Sequence, residues 1–138
     1  MIWKPVNLSF GNRTVRAVVL NGYPMFSATD LCDILGYVNP HKILSRCCDS
    51  TPEYIRVMTA GGPQNLRMIG RGDIESLLLN YSRKPEARKL WRWFRTEVFP
   101  RFETERRELA AVTLLFAAMG LICSDCIIIT EKNNHKNE

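Results

Sequence analysis

Histidine, the residue most often used for proton transfer near neutral pH, occurs only twice in this chain of 138 residues, at His41 and His135. No glycine-rich phosphate loop, no His-Glu-x-x-His and no Gly-x-Ser-x-Gly is present. A catalytic constellation would have to be built around His41 with Cys47 or Cys48, and cysteines in small cytosolic domains serve far more often as buried filler. These absences exclude the familiar metal-dependent, nucleotide-dependent and acyl-transfer chemistries and lead us to expect a non-enzymatic protein without a cofactor. An apolar leader is also missing, since Met1-Ile-Trp-Lys-Pro5 has no hydrophobic core segment. With five cysteines, an odd number, a reducing cytosolic compartment follows. Cys123-Ser-Asp-Cys126 has metal-ligand spacing and Cys47-Cys48 would be the other pair. Adjacent cysteines are poor chelators, however, and no histidine stands at ligand spacing, so small buried thiols and no metal are expected.

What the chain has is an uneven positive charge. The net charge is +5, yet residues 1–108 carry 17 basic and 11 acidic side chains while residues 109–138 carry two and three. Nine basic and four acidic residues lie between Arg83 and Arg107. At about 100° per residue, the helical angle, Ala87, Leu90, Trp91, Phe94 and Val98 fall within about 60° of one line, as a core-facing stripe should. Lys84, Arg88, Arg92 and Arg95 gather to one side, and Glu86 and Glu97 fall on the other flank. Arg88, Arg92 and Arg95 have no acidic residue three or four positions away, so no local ion pair neutralises them. Such a ridge implies an anionic partner, which a phosphate backbone would supply.

Along the front half the pattern is of hairpins separated by short helices. Val15–Leu20 is a strand, Asn21-Gly22 a hairpin turn, and Pro24–Phe26 the return. Ser27-Ala-Thr-Asp30 has the form of a capping box opening a helix from Ala28 to Leu35, which Gly36 stops. Asn39-Pro40 starts another, ending near Cys47. These two helices superficially resemble a helix-turn-helix, with His41, Lys42 and Arg46 as candidate phosphate contacts. A second hairpin comprises Glu53–Thr59, the turn Ala60–Pro63, and Gln64–Ile69, with Arg56 and Arg67 read either as opposite one another on one face of the pair or as plain solvent-facing strand positions. Asp73 is expected to cap a helix from Ile74 to Asn80. Pro85 stands as the first residue of the basic helix, and Pro100 is expected to end or kink it after Val98.

The tail changes character. After the mixed-charge run Glu103–Glu108, Leu109 to Cys123 gives 15 nearly unbroken apolar or small residues. Three readings compete: a helix that completes the core or forms an oligomer interface, a membrane anchor, and a remnant of a lost second domain. A span needs about 20 apolar residues, and Gly120 and Asp125 argue against one. Glu131–Glu138 is polar and expected to fray.

Taken in order, Met25-Phe-Ser-Ala-Thr-Asp-Leu-Cys-Asp-Ile-Leu-Gly-Tyr37, Asn39-Pro40, Gly61-Gly-Pro63 in a hairpin, and Ser82-Arg-Lys-Pro-Glu-Ala87 leading to Trp93 and Val98 resemble the Bro-N domain. That family is shared by baculovirus repeated-ORF proteins and phage antirepressors, and the resemblance spans roughly residues 8–103. It implies an α+β domain that binds nucleic acid, commonly ahead of a variable second domain, and in phages a regulator acting on a repressor protein. Two departures stand out: only the short apolar segment follows the domain, and Cys47-Cys48 replaces a polar or basic helix end. The expected organisation is a Bro-N-like domain at 1–103, an apolar helix at 104–130 and a polar tail at 131–138. The fold class is α+β, small antiparallel hairpins packed with short helices, plus the apolar C-terminal helix. The expected nucleic-acid contacts are Lys84, Arg88, Arg92 and Arg95, extended by Arg83, Lys42 and Arg46. The expected partners are DNA through its phosphate backbone, a phage repressor protein, and a second copy through Leu109–Cys123.

Overall fold

A computed structural model describes residues 1–48 and 51–120. The elements run β1 (Val6–Phe10), β2 (Arg13–Leu20), β3 (Tyr23–Ser27), α1 (Ala28–Leu35), α2 (Pro40–Cys47), β4 (Glu53–Thr59) and β5 (Gly62–Ile69). Then come α3 (Arg71–Glu75), which continues as a π-helical segment (Ser76–Tyr81), and α4 (Glu86–Trp93). A second π segment (Phe94–Val98) leads into α5 (Phe99–Ala118). The five strands form one antiparallel sheet in the order β1-β2-β3-β5-β4. The class is α+β, as expected. The expected helices at 28–35 and 40–47 and the strand at 53–59 coincide with what forms. Val6–Phe10 adds a strand beyond the expected hairpins and pairs with β2 along its whole length.

The sheet curls. Trp3 donates to the Arg56 carbonyl at 2.8 Å and accepts from the Met58 N–H at 2.8 Å, so it seats on the outer edge of β4. Yet β1, at the opposite edge of the sheet, starts only three residues later, within about 10 Å of chain reach. Five strand spacings in a flat sheet would be about 24 Å. Closing that gap wraps the sheet around a small core of Val18, Ile55, Val57, Leu66 and Met68, with Trp3, Leu20 and Met25 against it. The other face carries the main core, where Val15, Ala17, Phe26 and Ile69 meet Leu31, Leu35, Leu44, Ile74, Leu77, Leu90 and Phe94 from the helices.

A chelate between sheet and helix fixes the passage from β3 into α1. Asp30 accepts from the Arg16 backbone N–H (2.9 Å), from Nε (2.9 Å) and from Nη2 (2.7 Å). The pairing of β2 with β3 ends at Ala17 and Phe26, so the carboxylate takes the place of a strand partner for β2. The expected capping box is half realised. Ser27 Oγ accepts from the Asp30 N–H at 3.4 Å, while the Asp30 carboxylate turns to Arg16. That carboxylate, opposed by partial burial, raises the Arg16 pKa above its ordinary value.

Other expectations are corrected. The helix after β5 starts at Arg71, with Gly70 rather than Asp73 at its N-cap. Pro85 is the N-cap of α4, and the first helical residue is Glu86. The helix does not end at Pro100. Proline lacks an N–H and its ring crowds the carbonyl four residues back. In the π segment before it the ladder slips by one, as the Phe99 N–H donates to the Phe94 carbonyl. Pro100 then falls in the first turn of α5, where no N–H is needed. Arg67 is buried at 8% exposure, not solvent-facing. It pairs in register with Tyr54, while Arg56 pairs with Asn65, so the two arginines are diagonal rather than opposite.

Over its described part the apolar tail does not complete the core. Only Phe99 and Phe102 of α5 are buried, and Leu109, Val112, Leu114, Leu115 and Met119 are exposed. Among the described residues no helix is long and apolar enough to cross a membrane. Cys123, Cys126 and the polar tail lie outside the described residues.

Two measurements check this packing. Asp30→Ala leaves a backbone N–H and a guanidinium without their acceptor and is expected to cost about 2–3 kcal/mol in denaturant unfolding. Asp30→Asn, which keeps one acceptor, loses less. Burial, the first cause in each case, pushes the Cys32 and Cys47 thiols up from 9.0 to about 12. The folded state therefore keeps these protons while the unfolded chain releases them, so this stability is complete below about pH 9 and lost as pH rises toward 12. Thermal unfolding between pH 8 and 11 should show that decline, and Cys32→Ala should make it shallower.

Candidate nucleic-acid interface

The basic face of α4 is positioned by what its other face buries. Ala87 and Leu90 are enclosed, and Phe94 is fully buried with its ring 5.0 Å from Phe26, edge on, and 5.3 Å from Phe99. Trp91 also meets Phe99, at 6.0 Å. With that side locked, Arg88, Arg92 and Arg95 face solvent. None of the three side chains takes part in a hydrogen bond or ion pair among the described residues. The acidic residue of the first turn, Glu86, is engaged by Lys89 at 3.5 Å. At about 1.5 Å rise per residue, Arg88 to Arg95 spans about 10 Å along the axis. One strand of a duplex places about three phosphates in that length. The π segment keeps Arg95 on the exposed side while delivering both Val98 and Phe99 to the core.

Lys84 and Arg83 extend the ridge through the segment that enters α4. Lys84 Nζ stands 5.3 Å over the Tyr37 ring. The Tyr37 hydroxyl donates to Ser82 Oγ at 3.0 Å, and that oxygen also accepts the Lys84 N–H at 3.3 Å. This joint ties the turn after α1 to the foot of the ridge. Arg83 is exposed beside it.

Lys42 and Arg46 are exposed as well, on α2, where Asn39 Oδ1 accepts from the Lys42 N–H at 3.4 Å and caps the helix. That helix packs chiefly against the Ser76–Tyr81 segment rather than α4. Five of the seven expected contacts thus follow one another along α4 and its entry, and the other two occupy a separate helix.

A groove lies beside the ridge and was not among the expected features. Phe10, Gly11, Lys89, Arg92, Trp93 and Glu97 contribute to a depression of about 370 Å³ between the β1–β2 turn and α4. The Phe10 and Trp93 rings lie 5.3 Å apart within it. The signal was the alternation of Val6, Leu8 and Phe10 before Gly11, which marks a strand and its turn.

Comparison with known proteins places the chain. A family model described as "BRO family, N-terminal domain" matches residues 14–100. An uncharacterized protein of Haemophilus influenzae is 36% identical over 78 residues, which is 54% of this chain and 37% of that protein. The chain thus spans little more than a third of that relative. No solved structure matches. The span matched by the family model runs from β2 to Pro100 and holds the Arg16–Asp30 chelate, both hairpin partners β3 and β5, and the entire ridge. On that match the chain belongs to the BRO family and carries its N-terminal domain.

Proposed function

We propose that the domain is a non-enzymatic, DNA-binding regulator of phage or prophage origin, antirepressor-like, that works in the host cytosol. It grips the phosphate backbone through Arg88, Arg92 and Arg95, with Lys84 and Arg83 at the foot of the ridge and Lys42 and Arg46 as a second point of contact. The observation that carries this reading is the ridge itself. Three arginines stand in line on a helix whose opposite face is fixed in the core, and their guanidiniums have no acidic partner among the described residues. Like charges at this spacing repel by a few tenths of a kcal/mol per pair, a cost that phosphates would reverse. Contacts of this kind position the protein without reading bases.

A second reading has its own observation. The exposed apolar residues of α5 and its C-cap, with Leu109, Leu115 and Met119 at 63%, 58% and 61% exposure, favour protein contact, either with a repressor or with a second copy. In that case the antirepressor docks on its repressor directly. Copurification from a lysogen with and without nuclease separates the readings: loss of the repressor on nuclease treatment supports a DNA bridge, and retention supports direct contact.

Neutralising about four phosphates predicts a log–log salt slope near −3.6 for binding to random duplex DNA. The double variant Arg88→Glu/Arg92→Glu should bind weakly with a slope of about −1.8, while its unfolding free energy stays within about 0.5 kcal/mol of the parent. An unchanged affinity and slope in a correctly folded variant would refute the ridge as the contact surface.

A further inference from the structure

Cys32, Cys47 and Cys48 are reduced, and the proposed function uses none of them. Cys47 Sγ and Cys48 Sγ lie 3.5 Å apart. Adjacent residues rarely achieve this. On a helix their side chains diverge by about 100°, and on a strand they point to opposite faces. Here the backbone changes between the two residues: Cys47 closes α2, while Cys48, at φ −101° and ψ 115°, is extended. The change folds both sulfurs to one side. The cap is held by the Cys48 N–H donating to the Leu44 carbonyl at 3.0 Å, which the Cys47 thiol also approaches at 3.9 Å.

Two bonds of about 2.3 Å, the length of a zinc–thiolate bond, meeting at about 90–110° would hold their sulfurs about 3.3–3.8 Å apart. The observed separation falls inside that range, so the pair is set for chelation with little movement. A tetrahedral zinc ion takes four ligands, and among the described residues no three potential ligands gather in one place. The fitting ion is soft, bent at the metal, and satisfied by two thiolates with one ligand of its own. We propose that Cys47 and Cys48 form a bidentate dithiol site for a trivalent metalloid of the arsenite class.

The chemistry balances without oxidant or reductant. The thiol of half-buried Cys48 reacts first: an arsenic–sulfur bond forms, an arsenic–oxygen bond breaks, and water leaves with the thiol proton. Cys47, only 1% exposed, repeats the exchange intramolecularly. Its burial keeps it protonated in the resting state and places it second. The closed ring ties the last helical residue of α2 to its cap.

The test uses the full-length reduced chain, phenylarsine oxide as probe, and intact-mass spectrometry under native conditions with excess 2-mercaptoethanol. Two thiols and one phenylarsine oxide yield the chelate and one water. An adduct that survives the monothiol and is removed by 2,3-dimercaptopropanol is expected. Because Cys123 and Cys126 offer a second dithiol, the adduct should persist in Cys123→Ser/Cys126→Ser and be lost when Cys48→Ser is added to that variant. Tryptic mapping of the parent adduct, which does not depend on any variant folding, should place phenylarsenic on the peptide Cys47–Arg56. Absence of a monothiol-resistant adduct, its loss in the Cys123/Cys126 variant, or its mapping elsewhere would overturn the proposal.

Discussion

The edge-to-face contact between Phe26 of β3 and Phe94 of the π segment is the interaction on which the molecule turns. Phe26 also meets Phe99 at 6.1 Å and Phe102 at 6.0 Å, so one strand residue anchors three positions of the C-terminal helical run. Aromatic pairs of this geometry contribute about 0.5–1.5 kcal/mol each beyond the burial of their area. Their larger effect is directional. Fixing Phe94 inward decides which side of α4 faces solvent, and that side bears Arg88, Arg92 and Arg95. The ridge is therefore a consequence of core packing, and its own electrostatics oppose it.

The sheet supplies the other half of the constraint. Phe26 can anchor the helices only because β3 is held in the middle of the sheet, paired with β2 on one side and β5 on the other. After Ser27 the chain leaves the sheet for α1, and Asp30 accepts from the Arg16 N–H beyond the last β2–β3 pair. The curl closed by Trp3 gives the far face a core of its own, so both faces of a small sheet exclude water.

The parts legible in the sequence are those set by neighbours in the chain. Asn21-Gly22 and Gly36 are backbone requirements: Asn21, Gly22 and Gly36 all adopt positive φ, and each ends an element where expected. Asn39-Pro40 starts α2 for equally local reasons. The 3.6-residue period likewise separated Ala87, Leu90 and Phe94 from the arginines. Relations across the chain were not legible. Arg16 and Asp30 are 14 residues apart, and nothing near Asp30 distinguishes a capping carboxylate from one that reaches a strand. Pro100 reads as a helix terminator unless the ladder before it can slip, which depends on Val98 and Phe99 both finding room in the core. Arg67 alternates with Leu66 and Met68 as a surface residue would, and only the helices above it bury it. The sulfur pair followed from one extended residue at a helix cap, a detail that spacing does not encode.

What the fold achieves is a line of positive charge with no acidic partner among the described residues, carried on an N-terminal domain of the BRO family. The most direct test of its use is to follow the arginine Nε–H resonances by NMR as a random-sequence duplex is added at low salt. The signals of Arg88, Arg92 and Arg95 should shift together and return as salt is raised, while those of Arg16, chelated by Asp30, and of buried Arg67 stay in place. Shifts confined to other arginines, or none at all under conditions where the DNA binds, would contradict the ridge as the surface that meets nucleic acid.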